Sequence, residues 1–170
     1  MYRYFLPYQI DMLSKAVSIS EDIVSDAFSL TNDYWKKNTF EVKTLQHERI
    51  DVPTGTYAHL SKYANNFEEK NCGTDNKSLY KIIVIDPQVL KATRGIPKIL
   101  KPFFVYIITH ELIHILRFSK FECVVTNTQK EEEEEIVHNL TNKVLTPIKI
   151  RYLDLVIDYF KGKIVKLSLN

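Results

Sequence analysis

His110-Glu111-Leu112-Ile113-His114 is the stretch of this chain whose residue types and spacing could do chemistry. On a helix, residues four apart share a face and lie about 6 Å apart along the axis. His110 and His114 can then aim two imidazoles at one point, as two ligands of a tetrahedral zinc ion do. Glu111 falls one step round from His110. Its carboxylate would stand beside the metal without binding it, placed to take a proton from a zinc-activated water.

The flanks support a buried setting. Phe103 to Ile108 lead in and Ile115-Leu116 lead out, all apolar apart from the phenol of Tyr106. A helix apolar nearly all round is a core helix. Imidazoles and a carboxylate in its middle cost free energy unless paired or metal-bound. Only five histidines occur in the chain, so two at this spacing inside an apolar helix argue against coincidence. Proline is tolerated only in a first turn. With Pro97 and Pro102 bracketing the entry, the helix is expected from near 101 to about 118.

A third donor has to come from elsewhere. Glu131 to Glu135 form a run that leads into Ile136-Val137-His138. Such blocks usually face solvent, yet Val137, Leu140 and Val144 make one apolar helical face. At about 100° per residue, Glu133 lies close to that face, and Glu134 lies about 60° to one side, with His138 on the same side. Glu131, Glu132 and Glu135 point towards solvent. The third ligand stays open among Glu134, Glu133 and His138.

Residues 110–114 resemble the zincin metallopeptidases, and residues 103–145, about a quarter of the chain, carry the resemblance. In the gluzincin branch, to which thermolysin belongs, a glutamate on a second helix is the third ligand and opens a Glu-x-x-x-Asp pattern. Glu134 and His138 stand in that relation here, with histidine in place of the aspartate. The resemblance implies a small zinc-dependent peptidase. Its metal would be held by His110, His114 and Glu134, Glu111 would be the general base, and a peptide or protein would be the substrate. It also implies a strand edge along the cleft and a further donor to the carbonyl oxygen, for which Tyr152, Tyr159 and His138 are candidates. The same residues fit a second class of function, a non-catalytic or regulatory zinc-binding domain of zincin fold, in which His138 would close the coordination.

Bulk properties narrow the field. The chain has 170 residues, 45 % hydrophobic and 26 % charged, with a formal charge of +2. That is a normal globular balance for one domain, 1–170, with its metal-site core at about 79–145. No basic stripe points to nucleic acid. The longest uninterrupted apolar run, Phe103 to Ile108, is far below the ~20 residues of a membrane span, and the N-terminus lacks the form of a signal peptide. Cys72 and Cys123 are far apart and suit no zinc pair; two inert thiols and a cytoplasmic setting are expected.

The elements that must position the site form an α+β class with a small mixed sheet. A short helix is expected at 8–17. Ser18-Ile19-Ser20-Glu21 has the form of a capping box, opening a second helix over 20–37. A strand is expected around Phe40 to Leu45, and Pro53-Thr54-Gly55 marks a turn. Residues 56–76 give no clear pattern. Leu79 to Ile85 is the strongest strand, fitting either a cleft edge or a buried central position. Asp86-Pro87 suits a helix start over 87–93. Residues 119–129 connect the two ligand helices. Residues 148–161 form a helix with two apolar rows, which suggests a homo-oligomer contact through 147–161. Residues 163–169 suit an edge strand or tail.

Overall fold

The motif helix is the spine of the molecule. The structure, a computed structural model, describes residues 4–63, 77–121, 127–162 and 167. In chain order the elements are α1 (Pro7–Ala27), α2 (Asn32–Lys37), β1 (Asn38–Thr44), β2 (Ala58–Tyr63), β3 (Ser78–Val84), α3 (Asp86–Thr93), α4 (Pro97–Phe121), α5 (Asn127–Leu145) and α6 (Leu153–Phe160). The class is α+β, with a mixed three-stranded sheet. Helix α4 packs against α1, α3, α5, α6 and β2.

Helix α4 is central because from Pro102 to Leu116 every residue but His110 is buried. Phe103, Phe104, Val105, Ile108, Leu112, Ile113 and Ile115 are all fully buried. Each such burial contributes ~1.5–3 kcal/mol. The helix starts at Pro97 rather than near 101, so Pro102 lies within its second turn. Proline there removes one helical donor, leaving the carbonyl of Lys98 without its usual bond. Lys98 is exposed, so water reaches that end. Of the described helices only this one is long and apolar enough to cross a membrane, and 89 % of its most apolar window is buried by the rest of the fold.

The sheet order is β1-β3-β2, with β1 parallel and β2 antiparallel to β3. The strand expected over 79–85 takes the central place. Ile82, Ile83, Val84 and Ile85 are buried in succession, as a strand covered on both faces must be. The edge beside the motif helix is β2 instead, inside the segment that gave no sequence pattern. Its residues Ala58-His59-Leu60-Ser61-Lys62-Tyr63 alternate weakly, which is why it escaped notice.

Other expectations shift for local reasons. The two helices expected at 8–17 and 20–37 are one helix, α1, then a break and the short α2. Ser18, the cap of the expected box, lies exposed inside α1, while Ser20 is buried and its hydroxyl donates to the Val105 carbonyl of α4 at 3.2 Å. The break falls at Ser29, in the left-handed region with φ 51°. Asp86 opens α3, and its buried carboxylate accepts from the backbone N–H of Phe5 at 3.1 Å and of Leu45 at 2.9 Å. It thereby ties the chain start to the end of β1. Helix α6 starts only at Leu153, after Tyr152 at φ 66°. Its apolar rows pack inside this chain: Leu153, Val156 and Ile157 are buried, and Tyr159 and Phe160 meet Phe103. Both cysteines and nearly all of 163–169 lie outside the described residues.

Candidate metal centre

One turn of α4 sets the first two donors. His110 and His114 stand with ring centroids 4.8 Å apart. His114 is buried and His110 half-buried, and the His114 ring stacks on Phe118 at 5.6 Å. Helix α5 brings the third. Val137, Thr141 and Leu145, at a spacing of four, are fully buried and seat α5 in the core. Glu133 and Glu134 project one turn earlier, and they part company. The Glu133 carboxylate accepts a fork from Arg117, Nε to Oε1 at 2.6 Å and Nη2 to Oε2 at 3.0 Å. The Glu134 carboxylate faces both imidazoles. Its Oε2 lies 3.2 Å from Nε2 of His110, and its Oε1 lies 3.0 Å from Nε2 of His114.

His110, His114 and Glu134 thus form a group whose donor atoms all lie within 4.8 Å of one another, and it could hold a metal ion. Hydrogen bonds from the two imidazoles hold the Glu134 carboxyl well below the usual carboxylate range. Both Nδ1 atoms are buried with no hydrogen-bond partner among the described residues. Glu111 is outside the group. It is buried, and burial pushes its carboxyl up to about 7; the His110 charge opposes this and the Glu134 charge adds to it.

His138 is neither in that group nor loose. Its Nδ1 lies 3.1 Å from the Tyr106 hydroxyl, which donates to Asn142 Oδ1 at 3.0 Å. A phenol has one proton, so His138 must donate from Nδ1, leaving Nε2 as the unprotonated ring nitrogen. Burial, ahead of the positive charges of His110 and Lys161, lowers the His138 pKa and favours that neutral form. A cavity of about 300 Å³ opens over these groups, lined by His110, Glu111, Glu134 and His138, and by Tyr57 and Ala58 at the start of β2.

The other sequence candidates lie elsewhere. Tyr159 spends its hydroxyl on that of Tyr57 at 2.6 Å. Tyr152 lies under Arg151, outside the cavity lining. Arg117, Tyr106 and Asn142 went unnoticed in the sequence, although two of them carry a signal. Tyr106 is four residues before His110, on the same helical face, and Asn142 is four after His138. Nothing local marks Tyr57 as a cavity residue. Comparison with family models, with characterised proteins and with solved structures finds no match to this chain.

Proposed function

We propose that the chain is a zinc-dependent peptidase of gluzincin kind, acting in the cytoplasm on a peptide or protein substrate. One observation carries the reading. Glu134, delivered by a separate helix, sets both carboxylate oxygens against the Nε2 atoms of the two motif histidines, while Glu111 is buried beside them and outside the group. Two imidazoles and one carboxylate are a donor set that suits zinc with a fourth position left for a reactant. A closed structural site would need a fourth protein ligand. Among the described residues none joins the three.

Zinc, when bound, supplies Lewis-acid polarisation of the substrate carbonyl and lowers the pKa of water. The rest falls to the chain's own groups. Glu111, pushed up to about 7, sits where a carboxyl both gains and loses a proton at neutral pH. It takes the proton of the attacking water and returns it to the leaving amine. Strand β2 orients the substrate. Ile85 N–H donates to the Tyr57 carbonyl at 2.9 Å. In an antiparallel ladder bonded and non-bonded pairs alternate, so the main-chain groups of Ala58, Leu60 and Lys62 point away from β3. Among the described residues no strand covers them. An extended peptide can add there and pass the cavity at Ala58.

The test is metal analysis and cleavage of a mixed peptide library by the parent and by Glu111→Gln. About one zinc per chain is expected in both, with cleavage by the parent alone. A parent that binds no zinc, or a variant that cleaves equally well, would overturn the proposal. Zinc in both proteins with cleavage in neither would favour the regulatory zinc-binding domain.

A further inference from the structure

A second cavity, of about 450 Å³, shares the Tyr57 side chain as a wall with the cavity over the metal group. One face of α3 lines it. Gln88 and Lys91 share a face of α3, and Arg94, just past its end, lines the same cavity. Thr54, Tyr57 and Tyr159 also line it, and the two phenols hydrogen-bond each other at 2.6 Å. No aspartate or glutamate contributes to the lining.

The charge here is uncompensated. Lys91 and Arg94 have no ion pair among the described residues. The dipole of α3 favours cations at this end, but it does not account for the donors that line the cavity with them. Arg94 also holds the left-handed conformation, φ 54°, immediately before Gly95 at φ 65°. A long side chain is kept at a position where glycine or asparagine would be easier by ~1–2 kcal/mol.

We propose that this second cavity is a carboxylate-binding subsite, in which Lys91 and Arg94 hold an acidic side chain or the free C-terminus of a peptide crossing the metal cleft. The carboxylate part stands on the cavity alone; the peptide part rests on the peptidase reading. Tyr57 borders both cavities, so a carboxylate held in the second belongs near the bond held over the metal group. A guanidinium and an ammonium clamp a carboxylate by charge-assisted hydrogen bonds, and such bonds contribute enough for about a tenfold preference or more.

Three small probes separate the sources: acetyl-glutamate amide, with only a side-chain carboxylate; acetyl-glutamine acid, with only a terminal one; and acetyl-glutamine amide, with neither. Each is titrated into the isotope-labelled full chain, and amide shifts are followed by NMR. At least one of the anionic probes is expected to shift residues 54–57 and 88–94, and whichever does so names the source. The uncharged probe should leave them in place, and the Lys91→Ala/Arg94→Ala double variant should erase the response. Both side chains are exposed, so the fold tolerates their removal. The subsite is overturned if neither anionic probe moves these residues, if the neutral probe moves them equally, or if the double variant responds like the parent. The peptide library gives the second arm. Bonds cut by the zinc-loaded parent should carry a nearby carboxylate, with the preference lost in the double variant. If the probes bind but no peptide is cut, the carboxylate subsite stands and the peptidase reading falls.

Discussion

Glu133 and Glu134 are neighbours on one helix and meet the same partner helix, yet their surroundings differ in kind. Glu133 finds Arg117, whose guanidinium offers only donors and fills both carboxylate oxygens in a planar fork. That contact is complete within the protein. Glu134 finds two imidazole Nε2 atoms. Imidazole nitrogens either donate or accept, and two of them converging on one carboxylate leave a place for a proton or a cation. The difference teaches where to look for chemistry among repeated residues. The candidate carboxylate is the one whose contacts the fold leaves unfinished.

The largest effect should come from breaking the unfinished contact. Glu134→Ala should lower zinc affinity by more than the ~10–100-fold typical of an indirect partner, because it removes one of three donors. Cleavage should go with the metal. Glu133→Ala should lower zinc affinity far less and act mainly on stability. Dissociation constants for both variants, from competition with a chelator, check this. Equal losses would erase the contrast between the neighbours.

The next effect separates holding the metal from using it. Glu111→Gln should keep zinc and reduce cleavage by ~10²–10⁴-fold. It should also stabilise the metal-free protein. Folding raises the Glu111 pKa from its ordinary 4.5 to about 7, so the ionised form is disfavoured in the native state. The parent therefore loses stability as pH rises from about 4.5 to 7 and carries the full cost above that window, on the order of 3 kcal/mol. The metal-free variant should melt higher than the metal-free parent at pH 8 and by much less at pH 4. A parent more stable than the variant at pH 8 would remove the buried charge from the account.

How much of this could be read in the sequence depends on the range of the interaction. His110, Glu111 and His114 were legible because their geometry is set within one helical turn. Glu134 was legible as a candidate only, since its rotation about α5 could be estimated but not its partner. Arg117 takes Glu133, a pairing that spans sixteen residues and has no local signal. Helix α4 and strand β3 were visible as apolar runs. Strand β2 was not, because its residues are mixed and its role comes from pairing with β3 across a long connection. The helix break at 28–31 was misplaced to residue 18 because Ser18 and Glu21 have the form of a capping box, although α1 runs through them and Ser20 hydrogen-bonds across to Val105.

A smaller effect should follow from the residue that replaces the aspartate of the gluzincin pattern. His138 is one turn from Glu134 and is held by Tyr106 and Asn142. Since it lies outside the donor group, His138→Ala should weaken zinc binding less than Glu134→Ala does. Tyr106→Phe removes both hydrogen bonds but keeps the ring that stacks on Phe160 at 4.0 Å. Cleavage that falls in both variants with zinc retained would assign the network to the reaction. Loss of the metal from His138→Ala, but not from Glu134→Ala, would make the site a three-histidine one and overturn the gluzincin reading.

The smallest effect lies in the finished contact, and it needs the most careful measurement. Arg117 and Glu133 are partly buried, with side chains 23 % and 17 % exposed. Ion pairs at exposed positions contribute ~0.2–1 kcal/mol, while a bidentate fork is stronger, so a coupling of about 1 kcal/mol is expected. Arg117→Ala alone overstates it, because Arg117 has further contacts and the change also strands Glu133. A double-mutant cycle of Arg117→Ala, Glu133→Ala and both together isolates the pair. The coupling should appear in unfolding free energy and shrink at high salt, since these groups are not fully shielded from water. It should also appear, more weakly, in zinc affinity, because the fork fixes the rotation of α5 that aims Glu134 at the histidines. Coupling in stability with none in zinc affinity would show that the neighbouring carboxylates act independently, and that Val137, Thr141 and Leu145 alone set the register of α5.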